Sequence, residues 1–439
     1  MTTRRHDLPT RVAHFLHRHP PGARLSVGYS GGLDSTVLLH LFADLRGEFD
    51  FRLGFQLSAV HVHHGLSPQA DAWAEHCRQQ CARLEVPLRV ERVAVNPNGQ
   101  GLEAAAREAR YRVFAGLDAD ALALAHQRDD QAETLLLQLL RGAGMKGLAA
   151  MPEERALGPI KLLRPLLDVP RSEIEAYARA RGLSWVDDAS NADTALRRNA
   201  ARHHLLPVLE DLFPGVAITL AQAAAQFAES ASLLDALARL DGAAAITAEG
   251  LQVAHLAELD AARARNLLRH YLELHGLPIR RERLHEALAQ MLEARADGLP
   301  VIDFGAASLR RFQGRVVLVK NSPQQDVVTW HWRGEAELDL GAAGKLCFTA
   351  AAGQGVRLPD RATVMLRAGG EKLRTDARRP ARTLKNLLRE AGLPPWLRER
   401  LPLIYVEDRL AWAAVIGADA VFQAGLDESG WLISWRQPG

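Results

Sequence analysis

The sequence predicts an α/β protein: a doubly wound parallel sheet, then a small helical domain, then an α+β C-terminal domain. Three observations carry this. Short apolar runs alternate with helical patterns through the first half. An Ala/Leu-rich stretch with helical spacing follows, and short alternating runs with one helix close the chain. Strand and helix in strict turn imply parallel strands covered by helices.

In order, the strand-like runs are 25–29, 56–63, 88–95 and 121–125, and the helical patterns between them are 36–45, 71–84, 102–117 and 131–141. KLLRPLL (161–167) and a helix after Pro170 extend this unit, which closes near LLPVLEDLFPG; Pro214-Gly215 punctuates the boundary. This gives a first domain of residues 1–213. Residues 214–322 hold the helical stretch (216 to about 293) and one strand-like piece, RVVLVK. Asn321-Ser322-Pro323-Gln324-Gln325 reads as a linker. The third domain, 323–439, holds VVTWHW, KLCFTA, ATVML, WLISW and a helix at 383–391.

The chain has 439 residues, 48% of them hydrophobic, a formal charge of +2 and a pI near 8.5. Nothing global marks an acidic partner, so nucleic-acid affinity has to come from local patches. The three cysteines, Cys77, Cys81 and Cys347, have neither disulfide-scaffold nor zinc spacing. With no apolar signal core and no run of membrane-spanning length, a cytoplasmic protein without a membrane partner is expected.

VGYSGGLDSTVLLHL (27–41) is a buried strand, a tight turn and a helix. Gly31 and Gly32 open backbone angles closed to other residues, so that successive N–H groups converge on an anion at the positive end of the helix. Ser30 and Ser35 add hydroxyls. Leu33 is the apolar member, and Asp34 is the odd one, because a carboxylate repels a bare phosphate. It makes sense if Mg²⁺ lies between them. The competing reading is an ordinary glycine turn with Ser35 as helix cap. Neither GxxxxGK[ST] nor GxGxxG is present in the loop.

Other side chains have alternatives of their own. Asp130 and Glu133 lie three apart and share a helix face, with Asp129 adjacent; they read either as a capping box or as an acidic site at the strand-end rim. Arg107 and Arg110, with Tyr111, suit phosphate, of RNA or of ATP, or a solvated face paired to Glu103 and Glu108. Between Arg367 and Arg400, ten Lys/Arg face four acids around Trp396, the most basic patch in the chain.

SGGLDS after a strand resembles the pyrophosphate loop of the N-type ATP pyrophosphatases, which have a Rossmann-like fold and cleave ATP between the α- and β-phosphates. Further motifs resemble one family among them, the tRNA(Ile)-lysidine synthases. These are His61-Val62-His63-His64-Gly65-Leu66, Glu103 to Tyr111, His126 to Thr134, Arg164-Pro165-Leu166-Leu167, Trp185 to Asn191 and Arg198-Asn199. The likeness resumes at Gly370-Glu371, Leu384-Lys385 and Pro394-Pro395-Trp396. Gln127 stands where the family often has histidine, His63 where asparagine is common, and Ala200-Ala201 interrupts a more basic segment.

The resemblance implies an ATP-dependent ligase with Mg²⁺. It would join free L-lysine to C2 of the wobble cytidine of the CAU-anticodon tRNA(Ile) through an adenylated base, changing decoding from AUG to AUA. Ser30, Gly31, Gly32, Leu33, Asp34 and Ser35 would bind ATP, with Asp34 at the metal. Asp34, Asp130 and Glu133 would be catalytic, the last two holding the lysine ammonium or taking its proton, or instead holding Mg²⁺. Arg107, Arg110, His126, Arg198, Arg374, Lys385 and Arg398 would meet RNA or phosphate. A tRNA thiolase of the same superfamily, needing reactive cysteines, and a catalytically silent RNA-binding protein are the rivals.

Overall fold

A computed structural model of the chain describes residues 7–47, 54–96, 101–188, 193–194, 196–295, 298–321 and 328–437. Ser190 and Asn191, residues 322–325 of the expected linker and the side chain of Glu103 lie outside the described residues. Two compact units are present, Met1–Ala238 and Arg239–Gly439. That division falls within one long helix, whereas the sequence reading draws its boundaries at 213 and 322.

The first unit runs α1 (Leu8–Leu16), β1 (Arg24–Gly28), α2 (Leu33–Gly47), β2 (Gln56–His63), α3 (Ala70–Arg83), β3 (Leu88–Arg92), α4 (Leu102–Ala115) and β4 (Ala121–Ala123). Then come α5 (Arg128–Leu139), α6 (Met145–Leu148), β5 (Glu154–Leu157), β6 (Ile160–Leu163) and α7 (Arg171–Ala180). The sheet order is β3-β2-β1-β4-β6-β5, parallel except for β5 against β6. Strand order therefore reverses at β1/β4, which sets their two following loops side by side at the carboxyl rim, where such sheets bind ligands. Val27 and Leu122 are fully buried, as parallel strands covered on both faces must be. The apolar residues of α2 (Val37, Leu38, Leu39, Leu41 and Phe42) are 0% exposed, so the helix behind the glycine turn is anchored in the core.

Close approach explains Gly28: a Cβ there would stand 2.4 Å from Leu124 Cδ2. The β5–β6 hairpin is not legible in the sequence, because β5 is a four-residue, charged edge strand. After α7 come α8 (Arg197–Ala200), a π-helical turn at Ala201–Leu205 and α9 (Leu206–Leu212). Pro207 lacks the N–H that would close an α-helical bond, and the wider turn directly precedes it.

The long helix α10 (Val216–Gly242) leads into the second unit. Its first part packs α11 (Val253–Glu258), α12 (Ala261–Leu274) and α13 (Arg281–Glu293) on a five-stranded antiparallel sheet. Only RVVLVK of that sheet stands out in the sequence; the other strands are short or polar. A separate apolar core around Trp332, Leu346, Val364, Leu388 and Leu403 organises the remainder. It holds a five-stranded antiparallel sheet, a three-stranded one and the helix Leu384–Glu390. Among the described residues no single helix is long and apolar enough to cross a membrane.

Gly31 has φ +85°, and a Cβ there would lie 3.0 Å from Cys77 Sγ. Gly31→Ala should cost about 1–3 kcal/mol through strain and crowding together. Denaturant midpoints check this, and an unshifted midpoint would show that the turn does not need its left-handed backbone.

Candidate active site

The glycine turn spends its carbonyls inward. Gly31 O accepts from Val186 N at 2.9 Å, and Gly32 O accepts from Thr36 N at 2.9 Å and from Ser35 Oγ at 3.0 Å. Ser30 Oγ and Ser35 Oγ are 3.0 Å apart. Ser35 is thus one part of an internally bonded turn and not the helix cap; α2 already begins at Leu33, whose side chain is buried. The N–H groups of Leu33, Asp34 and Ser35 belong to a first helical turn, which has no intrahelical acceptors for them. The positive end of a fifteen-residue helix backs them. This is the geometry of an anion cradle.

Asp34 stands at its edge. One carboxylate oxygen, Oδ1, is buried without a hydrogen-bond partner. Burial, reinforced by Asp130 and Asp129 and opposed by Arg171 and Arg202, pushes the Asp34 pKa up to about 6. Asp129 is raised as well, by burial first and then by Asp130 and Glu133, against Arg128. An orphaned buried oxygen among neighbouring acids fits a divalent cation, which would supply the missing positive charge.

Behind it lies a four-ion cluster. Asp130 is 8% and Glu133 1% exposed, and both face arginines at i and i+4 from the α8 and π-helical turns. Arg198 donates from Nε to Glu133 Oε2 and from a terminal nitrogen to Asp130 Oδ1, both at 2.8 Å. Arg202 donates to Glu133 Oε1 at 2.5 Å, to Glu133 Oε2 at 3.1 Å and to Asp130 Oδ1 at 3.1 Å. Two buried acids and two guanidiniums balance in charge, which a buried pair requires. Asp130 also caps its helix: its Oδ2 accepts from Gln127 N at 3.0 Å, while Gln127 Oε1 accepts from Asp129 N at 2.7 Å. The capping box is real but belongs to Gln127 and Asp130, one register before the Asp130/Glu133 spacing that suggests it. Asp130 and Glu133 are therefore not open carboxylates, and Arg198, expected on RNA or phosphate, is engaged with them.

His126, in the connection between β4 and α5, receives a hydrogen bond at Nδ1 from Arg164 Nε at 3.2 Å. Burial, with Arg164, Arg198 and Arg107 and against Asp130, pushes its pKa down to about 3, so the ring is neutral near pH 7. Arg107 lies over the Tyr111 ring at 4.9 Å. Arg110 acts on His64, whose pKa burial lowers to about 4.

Cys77, on α3, packs directly beneath the glycine turn. It is fully buried, and burial pushes its thiol up to about 12. Cys81 is buried as well, its thiol likewise raised by burial, and a buried thiol held protonated is a poor sulfur carrier.

In the second unit, Lys385 is exposed, whereas Arg374 is half-buried with its backbone N–H on Asp419 Oδ2 at 2.8 Å. Arg398 donates from Nε to Leu393 O at 2.6 Å. Arg367, Arg379 and Arg382 pair with Glu371, Asp376 and Glu390, so the patch is weaker than its residue count. Trp396 is packed edge-on against Phe312, centroids 5.5 Å apart, with Arg310 over its face at 5.4 Å. That ring serves packing within the unit.

Three family models match the chain: a PP-loop domain over residues 5–209, the TilS substrate binding domain over 251–317 and the TilS substrate C-terminal domain over 362–435. The tRNA(Ile)-lysidine synthase of Nitrosomonas europaea is 42% identical, the match covering 95% of this chain and 92% of that protein. The chain belongs to the tRNA(Ile)-lysidine synthase family. It is an enzyme with the ATP-using PP-loop domain of that family, and the tRNA(Ile)-lysidine synthase of Chromobacterium violaceum is 45% identical, over 93% of this chain and 94% of that one. Among solved structures, a U34-tRNA thiolase from Methanococcus maripaludis is 19% identical with a TM-score of 0.42, covering 51% of this chain and 78% of that one.

The fold of this family member brings together Ser30–Ser35, Asp34, Asp130, Glu133, His126 and Arg198, with Arg107 at their margin. Sequence reading passed over Arg202 and gave no role to Arg164. The i, i+4 spacing of Arg198 and Arg202 was the available signal, since it matches a facing acid pair at i, i+3.

The raised pKa of Asp34 makes a stability prediction. The folded state holds the proton more tightly than an ordinary carboxyl of 3.8, so stability is lost as pH rises from about 4 through about 6. Without nucleotide, Asp34→Asn should be the more stable protein above pH 6, by on the order of 2 kcal/mol, with the gain vanishing near pH 4. Thermal melts of both proteins across pH read this; a gain that is absent or independent of pH contradicts the burial described.

Proposed function

We propose that this chain joins free L-lysine to C2 of the wobble cytidine of a CAU-anticodon tRNA(Ile), using ATP, in the cytoplasm. The observation that carries the reading is the anion cradle at Ser30–Ser35 with the orphaned Asp34 oxygen at its edge, in a chain of this family.

Cytosine O2 is a poor leaving group. Its attack on the ATP α-phosphorus forms an O–P bond and releases pyrophosphate, the group for which the cradle's N–H donors and hydroxyls are suited. The lysine amine then attacks C2, the C2–O bond breaks, and AMP leaves with the former O2. Asp34, with Asp129 beside it, would hold Mg²⁺, which when bound neutralises phosphate charge.

Free lysine has a pKa of about 10.4, so only on the order of one molecule in a thousand carries the nucleophilic amine at pH 7. A site for it must hold the ammonium and accept a proton. Asp130 and Glu133 supply that charge, on condition that an arginine yields. Each of the two acids bonds both Arg198 and Arg202, so the departure of either arginine leaves both carboxylates bonded to the other. Residues 1–213 then carry the chemistry, while 214–322 and 323–439 grip the tRNA, the latter through residues such as Arg374, Lys385 and Arg398.

The test supplies ATP, labelled lysine and a CAU-anticodon transcript. Lysine should enter the tRNA with one AMP released per lysine, and Asp34→Ala should reduce the rate by about a hundredfold or more. No incorporation by the wild-type chain would overturn the assignment.

A further inference from the structure

We propose that Arg107, Arg155 and Arg164, gathered round Tyr111, bind one backbone phosphate of the tRNA; this rests on the function proposed above. The three come from separate elements. Arg107 and Tyr111 are one turn apart on α4, Arg155 is on the edge strand β5, and Arg164 directly follows β6. Arg107 and Arg155 cover the tyrosine ring, their guanidinium carbons 4.9 and 5.1 Å from its centroid. A terminal nitrogen of Arg107 stands 3.4 Å from the phenol oxygen. Arg164 is 2% exposed and fixed by Pro152 O at 2.6 Å and by His126 Nδ1 at 3.2 Å. Its partners are neutral.

Among the described residues no carboxylate pairs with any of these arginines, although most arginines of this unit have one. Burial pushes the Tyr111 phenol up, yet Arg107, Arg164 and Arg155 together pull it below its ordinary value. Three like charges converging on one hydroxyl repel each other, and an anion relieves that repulsion. Guanidinium forks and a phenol donor match phosphate oxygens.

The choice of a phosphodiester over ATP follows from charge and place. The triphosphate has the cradle and the cation site at Asp34 to neutralise it, whereas a phosphodiester brings no ion of its own and depends on arginines. Arg155 is exposed on the outermost strand of the sheet, within reach of a ligand that extends beyond the cleft.

The experiment uses the full chain with Arg155→Ala and Arg155→Lys, and measures affinity for a CAU-anticodon tRNA transcript across salt concentrations, together with the KM for ATP. Arg155→Ala should bind tRNA roughly tenfold more weakly, with a salt slope smaller by about one, and Arg155→Lys should restore the slope. The ATP KM and melting temperature should not move. Unchanged tRNA affinity and slope overturn the proposal, as does a loss confined to ATP, which would give the arginines to the nucleotide. Lysine incorporation by the wild-type chain reads the function separately, so failure of this site leaves that assignment standing.

Discussion

Parallel pairing of β1 with β4 is the constraint on which the site depends. In register, Leu25, Ser26 and Val27 lie beside Ala121, Leu122 and Ala123, and Gly28 removes the side chain that would collide with Leu124. The chain reverses its order of strands here, so the turn after β1 and the helix start after β4 emerge as neighbours. A glycine cradle for phosphate and a group of buried acids thus meet without any contact between them in sequence. The apolar core under α2 and both strands holds this arrangement, since the turn has few other attachments.

The second organising feature is electrostatic. Burying Asp130 and Glu133 beside Asp34 and Asp129 concentrates negative charge in a poorly hydrated rim; Arg198 and Arg202 bond the first pair, and Arg171 and Arg128 act on the second. Asp34 and Asp129 remain with raised pKa values. The site separates two kinds of acid: Asp130 and Glu133, bonded to Arg198 and Arg202, and Asp34 and Asp129, which on the proposed reading would meet a divalent cation. In the proposed reaction the metal-bound nucleotide would meet Asp34 and Asp129, and the lysine ammonium would meet Asp130 and Glu133 once an arginine yields.

Much of this was legible in the sequence. The alternation of apolar runs and helical spacing gave the parallel sheet, and SGGLDS marked the tight glycine turn between β1 and α2, because local backbone demands determine both. What stayed hidden depends on contacts between distant segments. Glu133 and Arg202 are 69 residues apart, and only the fold shows that the acid pair is neutralised. Trp396 drew attention as an aromatic in a basic patch, yet its partners, Phe312 and Arg310, come from another strand pair altogether. Arg155 lies on a short charged edge strand that has no periodic signal. Local chemistry was readable; the pairing of charges was not.

The most direct test of the central claim is a crystal structure of the chain with a nonhydrolysable ATP analogue and Mn²⁺, using anomalous scattering to locate the metal. The β- and γ-phosphates should lie against the N–H groups of Leu33 to Ser35, with the metal bound to Asp34 Oδ1. Phosphates lodged elsewhere, or a metal that makes no contact with Asp34, would contradict the account.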